Sequence, residues 1–91
     1  MPLTRIEFTE IRSLDDIYRQ LAEQVDLPEH FGRNLDALYD VLTGELEGPL
    51  TLVWRRHVAS ELLLGPEKYH AVLVLLRDAA EARTDLELVL D

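Results

Sequence analysis

Apolar and polar positions follow two different periods along this chain. Residues 3–8 and 86–90 alternate between apolar and polar side chains with a period of two, which predicts two short strands. The run Leu50–Trp54 is apolar almost throughout and contains Thr51 and Val53, so it predicts a strand buried on both faces. The three predicted strands therefore lie near the beginning, the middle and the end of the chain.

The segments between the strands have the spacing of amphipathic helices. The first helix is expected to begin after Ser13, which is a good N-cap with Asp15 and Asp16 in the first turn behind it. Pro28 should end it, because a proline disfavours α geometry at the preceding Leu27.

A second, shorter helix is expected after Asn34, again an N-cap residue. Leu35, Leu38 and Leu42 recur at helical spacing, and Gly44 follows as a residue that can end the helix in a left-handed conformation. So short a helix does not persist alone in water, so these leucines must hold it by packing.

Two more helices are expected before the last strand. Residues 58–64 form one that ends at Gly65, and Pro66 begins another that continues to about Arg83. The order is then β-α-α-β-α-α-β, and helical crossovers join parallel strands. We predict an α/β fold in one domain over residues 1–91: a small three-stranded parallel sheet packed with about four helices, its first strand in the middle.

Composition limits the function classes. The 91 residues contain no Cys, show no signal-peptide pattern at the start and include no apolar run long enough to span a bilayer, so we expect a cytoplasmic protein without disulfides. His30, His57 and His70 lack a metal-ligand spacing, and no Gly-rich phosphate loop is present, so neither a metal nor a cofactor is expected. The bond between Gly48 and Pro49 could be cis or trans.

The net charge of −9 disfavours nucleic acid and anionic membranes as partners and favours a basic protein. Residues 28–48 carry five of the acids, namely Glu29, Asp36, Asp40, Glu45 and Glu47, against Arg33 alone, a local net charge of −4. Nearly half of the formal charge is therefore concentrated in one stretch.

Asp36 and Asp40 are four residues apart, so they share a helix face with Tyr39 and Thr43 nearby. This face lies away from the leucines and should be exposed. Three interpretations remain open from the residues alone: a solvated surface, the carboxylate pair of a small hydrolase, or a surface that binds a cationic partner. Only two serines are present, neither in a nucleophile elbow, so nucleophilic catalysis is disfavoured.

The string LPEHFGRNLDALYDVLTG over residues 27–44 resembles the binding loop and helix of the barstar family. The resemblance continues in IRSLDDIYRQL before it and PLTLVW after it, and covers essentially the whole chain. It implies a small parallel sheet packed with helices. It also implies a non-enzymatic, intracellular inhibitor, monomeric when free, that binds a secreted, basic, guanyl-specific ribonuclease one to one and inserts carboxylates where RNA phosphates would bind.

The resemblance also implies which residues bind the ribonuclease. Asp40 matches the carboxylate at the centre of the family's interface, facing the phosphate-binding Arg and His groups of the enzyme. The other candidates are Asp36, Tyr39, Thr43 and Gly44 on the helix, His30, Phe31 and Asn34 in the loop before it, Glu47 in the acidic loop after it, and Asp78 on the last helix.

Two positions depart from the family pattern. Arg33 lies where the best-known member has Glu, and Glu45 lies where that member has Trp. A cation at the rim of the binding surface would slow the approach to a cationic cleft. The target could therefore be a different ribonuclease, and an immunity protein of the same fold against another nuclease or toxin is the alternative.

Overall fold

The computed structural model describes residues 3–91, and its elements follow the predicted order. They are strand β1 (Thr4–Phe8), helices α1 (Leu14–Gln24) and α2 (Leu35–Asp40), a π-helical turn (Val41–Glu45), strand β2 (Leu50–Trp54), helices α3 (His57–Leu64) and α4 (Pro66–Ala82), and strand β3 (Leu86–Leu90). The α/β class and the β-α-α-β-α-α-β order are confirmed.

The three strands form one parallel sheet in the order β1-β2-β3, so the prediction that the first strand lies in the middle is wrong. Ile6, Leu52 and Leu88 lie side by side across the sheet. β2 takes the centre because it is apolar on both faces, and four of its five residues are buried. The continuous apolar run in the sequence is the signal that identifies a central strand.

Two glutamines of α1 cover the outer edge of β1. The Gln24 amide accepts from the N–H of Glu7 and donates to the carbonyl of Glu7, both at 2.8 Å. Gln20 makes the same pair of bonds with Thr9, at 2.9 and 2.7 Å. Backbone groups that an edge strand leaves open are thereby satisfied within the molecule.

The start of α1 is confirmed, but its end is earlier than predicted. The Ser13 hydroxyl accepts from the N–H of Asp16 at 3.2 Å, as an N-cap does. The helix stops at Gln24, because Val25 is already extended (φ −138°). Val25 and Leu27 instead pack against the core from an extended segment that leads into Pro28.

The junction between α3 and α4 is as predicted. Gly65 separates the two helices with φ 88° and ψ 152°, a positive-φ conformation that glycine adopts readily, and Pro66 takes the first position of α4. The peptide bond between Gly48 and Pro49 is cis. α2 contacts α4, and its Leu38 side chain is completely buried in the core.

Ion pairs and hydrogen bonds lower the pKa of several carboxylates. The Arg55 guanidinium donates to Glu7 and lowers the pKa of that carboxyl below 4.5, with Arg5 adding to the effect. The backbone N–H of Arg12 donates to Asp16 and lowers its pKa below 3.8. Each group is thus more acidic when folded than when unfolded.

A lowered folded pKa stabilises the fold above the unfolded pKa, and this stabilisation disappears as the pH falls through the folded value. We therefore expect the free energy of unfolding to fall as the pH drops below about 4. Urea unfolding between pH 6 and 2 measures this. Asp16→Asn should reduce the slope on the acid side, and an identical slope in the variant would contradict the assignment.

Candidate functional site

The loop over residues 28–34 is attached to α1 through an aromatic contact. The Phe31 ring is half-buried and meets the Tyr18 ring of α1 edge to face, with ring centres 6.0 Å apart. The N–H of Phe31 also donates to the carbonyl of Pro28 at 3.0 Å. His30, next to it, is exposed. Phe31 therefore fixes the loop, and His30 is accessible to a partner.

Asn34 joins the loop to α2. Its side-chain oxygen accepts from the N–H of Ala37 at 2.7 Å, which confirms the predicted N-cap. Its side-chain nitrogen donates to the carbonyl of Gly32 at 3.3 Å. Since its amide oxygen caps α2, the structural role of Asn34 is to set the angle between loop and helix.

Arg33 turns back toward α1. Its backbone is left-handed (φ 48°), and its guanidinium forms an ion pair with Asp15. The guanidinium carbon lies 6.0 Å from the centre of the Tyr18 ring. Burial raises the pKa of Tyr18, and the charge of Arg33 partly offsets this effect. Arg33, the cation that departs from the family pattern, thus forms an intramolecular ion pair.

A groove of about 520 Å³ runs between α2 and α4 and brings together four of the predicted residues. Three are the exposed acids Asp36, Asp40 and Asp78, and the fourth is Tyr39. The apolar part of the lining is contributed by Leu35, Ala71, Val74 and Leu75. Tyr39 is half-buried against the core, so the prediction that this whole face is exposed holds only for the acids.

None of the three groove acids has an ion-pair partner among residues 3–91. An apolar lining with free carboxylates around it suits a cationic side chain, whose aliphatic stem packs on the lining while its charge meets the acids. The groove therefore combines an apolar contact area with exposed negative charge.

Asp40 also borders a second, smaller hollow, on the loop side of α2. His30 and Phe31 line this hollow together with Val41 and Glu45. Asp40 therefore lies between the groove on one side and the His30–Phe31 loop on the other. Asp40 is the residue that lines both hollows.

The end of α2 differs from the prediction. Gly44 was expected to end α2 in a left-handed conformation, but the helix widens into a π turn that runs through Gly44 to Glu45, and Gly44 has no positive φ. The N–H of Leu46 donates to the carbonyl of Val41, which closes the wide turn. The Thr43 hydroxyl donates to the carbonyl of Tyr39 at 2.8 Å. Such π turns occur often at functional sites.

Arg83, which the sequence predicts only as the end of the last helix, is hydrogen-bonded to this turn. Its guanidinium is mostly buried and donates to the carbonyl of Leu42 at 2.8 Å. The same group pairs with Asp85 at 2.6 Å and lowers the pKa of Asp85. No local pattern around Arg83 predicts this bond, because its partner lies 41 residues away.

Glu47 does not join the groove. It lines a separate hollow with Glu45, Leu46 and the last residues of α1. Within residues 3–91, no group of three or more His, Cys, Asp or Glu side chains could hold a metal ion. No helix in the same range is both long and apolar enough to cross a membrane.

Two kinds of comparison with known proteins agree with each other. The family model described as "Barstar (barnase inhibitor)" matches residues 1–91. A protein of Bacillus subtilis (strain 168), named "Putative ribonuclease inhibitor YrdF", is 29% identical over 86 residues, which is 94% of this chain and 94% of that protein. Since the family model covers every residue, and the parallel three-stranded fold agrees with it, this chain belongs to the barstar family of ribonuclease inhibitors.

Proposed function

We propose that this protein is an intracellular inhibitor of a barnase-like, guanyl-specific ribonuclease. It forms a 1:1 complex in which α2 and the His30–Phe31 loop occupy the cationic active site of the enzyme. The observation that carries the proposal is the groove between α2 and α4, where Asp36, Asp40 and Asp78 are exposed and have no ion-pair partner among the described residues.

The mechanism follows from charge. A ribonuclease binds RNA phosphates with Arg, Lys and His side chains, which present hydrogen-bond donors to oxygen atoms. The carboxylates of Asp40 and its neighbours present acceptor oxygens of the same charge. Once the complex excludes water, these pairs strengthen, because the local dielectric constant falls. RNA is then blocked from the positions that its phosphates would occupy.

A hydrolase is a weaker interpretation of the same acids. Glycosidases place two carboxylates on either side of a substrate enclosed in a cleft. Asp36 and Asp40 instead lie on one short helix and are both exposed at an open groove. Their arrangement suits a second protein surface better than a small substrate.

The proposal is tested by titrating the protein into a barnase-like, guanyl-specific ribonuclease while cleavage of a guanine-containing RNA oligonucleotide is followed. We expect cleavage to stop at one equivalent and the association rate to fall as salt increases, because oppositely charged surfaces attract each other at a distance. Inhibition of a different nuclease alone would support the immunity-protein alternative. Unchanged cleavage by all guanyl-specific enzymes tested would refute the proposal.

Gly44 offers a test of whether the π turn touches the enzyme. A Cβ added at Gly44 would meet no atom within 4 Å, and its backbone is helical, so Gly44→Ala should keep or slightly raise stability. The added methyl group would project from the proposed contact surface. We therefore expect weaker inhibition with an unchanged or slightly higher melting temperature. Full affinity in a stable Gly44→Ala variant would remove the turn from the interface.

A further inference from the structure

We propose that Arg33 is a positioning residue that holds the His30–Phe31 loop on α1 before any partner arrives. In this role Arg33 acts through Asp15 and Tyr18 rather than by touching the enzyme. The loop then has its binding conformation before the enzyme arrives. The binding part of this inference rests on the proposed ribonuclease inhibition; the effect on the loop of the free protein does not.

Three contacts converge on the same part of α1. The Arg33 guanidinium pairs with Asp15, across 18 positions of sequence, and lies 6.0 Å from the Tyr18 ring centre. Phe31, two residues before Arg33, meets that same ring at 6.0 Å. Tyr18 itself is buried, with 5% of its surface exposed, so it is a fixed platform. Arg33 and Phe31 therefore attach both sides of Gly32 to one rigid residue.

The loop has few other bonds to keep its shape. Its backbone has one internal hydrogen bond, from Phe31 to Pro28, and the Asn34 side chain adds one to Gly32. The left-handed backbone at Arg33 is unfavourable for a residue with a Cβ, so it persists only where surrounding contacts impose it. The contacts of the Arg33 side chain help to impose it, together with the Asn34 cap and the packing of Phe31.

The ion pair alone would be weak, because the side chains of Arg33 and Asp15 are 52% and 69% exposed. The position of the guanidinium over a buried aromatic ring adds a cation–π attraction that does not depend on Asp15. A loop that is ordered in advance loses less conformational entropy when it binds, so the complex is tighter. Affinity differences among variants of one interface are mostly differences in dissociation rate, so the effect is expected in koff.

The simpler role for Arg33 is that of a rim cation that opposes a cationic enzyme. The two roles predict changes of opposite sign. If Arg33 only repels the enzyme, Arg33→Gln should speed association and tighten the complex. If Arg33 positions the loop, the same change should raise the dissociation rate, and association should stay equal or become faster.

We expect Arg33→Gln to raise koff about three- to tenfold in stopped-flow or surface-binding measurements with the inhibited ribonuclease. Asp15→Asn should raise koff in the same direction, and the double variant should lose less than the two single effects combined. Arg19→Gln is the matched control, because Arg19 is also an ion-paired arginine, bonded to Asp16 and Glu23 within α1. It should leave koff unchanged. An unchanged koff with tighter binding in Arg33→Gln would overturn the proposal.

Hydrogen exchange in the free protein provides a readout that needs no ribonuclease. The amide of Phe31 is bonded to the carbonyl of Pro28, so its protection reports the shape of the loop. We expect faster exchange at Phe31 in Arg33→Gln and wild-type protection in Arg19→Gln. Equal protection in all three proteins would refute positioning even if inhibition is confirmed. A positive result would stand even if no ribonuclease is inhibited.

Discussion

Replacing Asp40 with alanine is expected to weaken the ribonuclease complex by about 3 kcal/mol or more, which is more than about a 100-fold rise in Kd. Asp40 borders both the α2–α4 groove and the hollow of the His30–Phe31 loop, so a partner that covers both surrounds it. Truncating it would leave the cations of the enzyme buried without a carboxylate. Such unpaired charges cost more than the net gain from the pair that was lost.

The fold should not change, because Asp40 is exposed and has no ion pair within residues 3–91. Glu61→Ala is the matched control: Glu61 is also exposed and has no ion pair within residues 3–91, and it lies on α3, away from both the groove and the loop hollow. The control removes the same charge, so it should slow association slightly and leave koff unchanged. Isothermal titration or competition kinetics would compare the affinities of both variants for the ribonuclease. Equal small losses of affinity in the two would show that Asp40 is not at the centre of the interface.

The order of elements could be predicted from the sequence because it depends on local patterns. Ser13, Asn34 and Pro66 mark helix starts by side-chain or ring chemistry that acts within one turn, and all three predictions are confirmed. The strand order could not be predicted so directly, since right-handed crossovers allow more than one arrangement of three parallel strands. The apolar character of Leu50–Trp54 on both faces indicates which strand is central in the sheet.

Only part of the candidate site could be predicted from the sequence, because the rest depends on contacts between distant segments of the chain. The shared face of Asp36 and Asp40 follows from helical spacing, but the meeting of that face with Asp78 is a tertiary contact between α2 and α4. The π turn through Gly44 is bonded to Arg83, which lies in a distant part of the chain. Glycine is common just after the end of a helix, so local propensity predicts a helix end at Gly44. In the folded protein the helical turn continues through Gly44 instead.

Replacing Leu38 with alanine is expected to lower the free energy of unfolding by about 3 kcal/mol, the usual cost of a cavity at a fully buried leucine. Leu38 has no exposed surface, and it anchors a helix of only six residues that cannot persist alone. For a domain of this size the loss corresponds to a melting temperature lower by about 12–24 °C.

Leu62→Ala is the matched control, because Leu62 is 89% exposed on α3 and the same atoms are removed. It should change the melting temperature by no more than a few degrees, since truncating an exposed side chain leaves no cavity. Urea and thermal unfolding of the two variants measure the contrast, and equal effects would mean that α2 is not held by its leucine face. At low temperature, where Leu38→Ala is still folded, its affinity should fall far less than that of Asp40→Ala. That difference would assign opposite faces of one helix to separate tasks, the leucine face to the fold and the aspartate face to the enzyme.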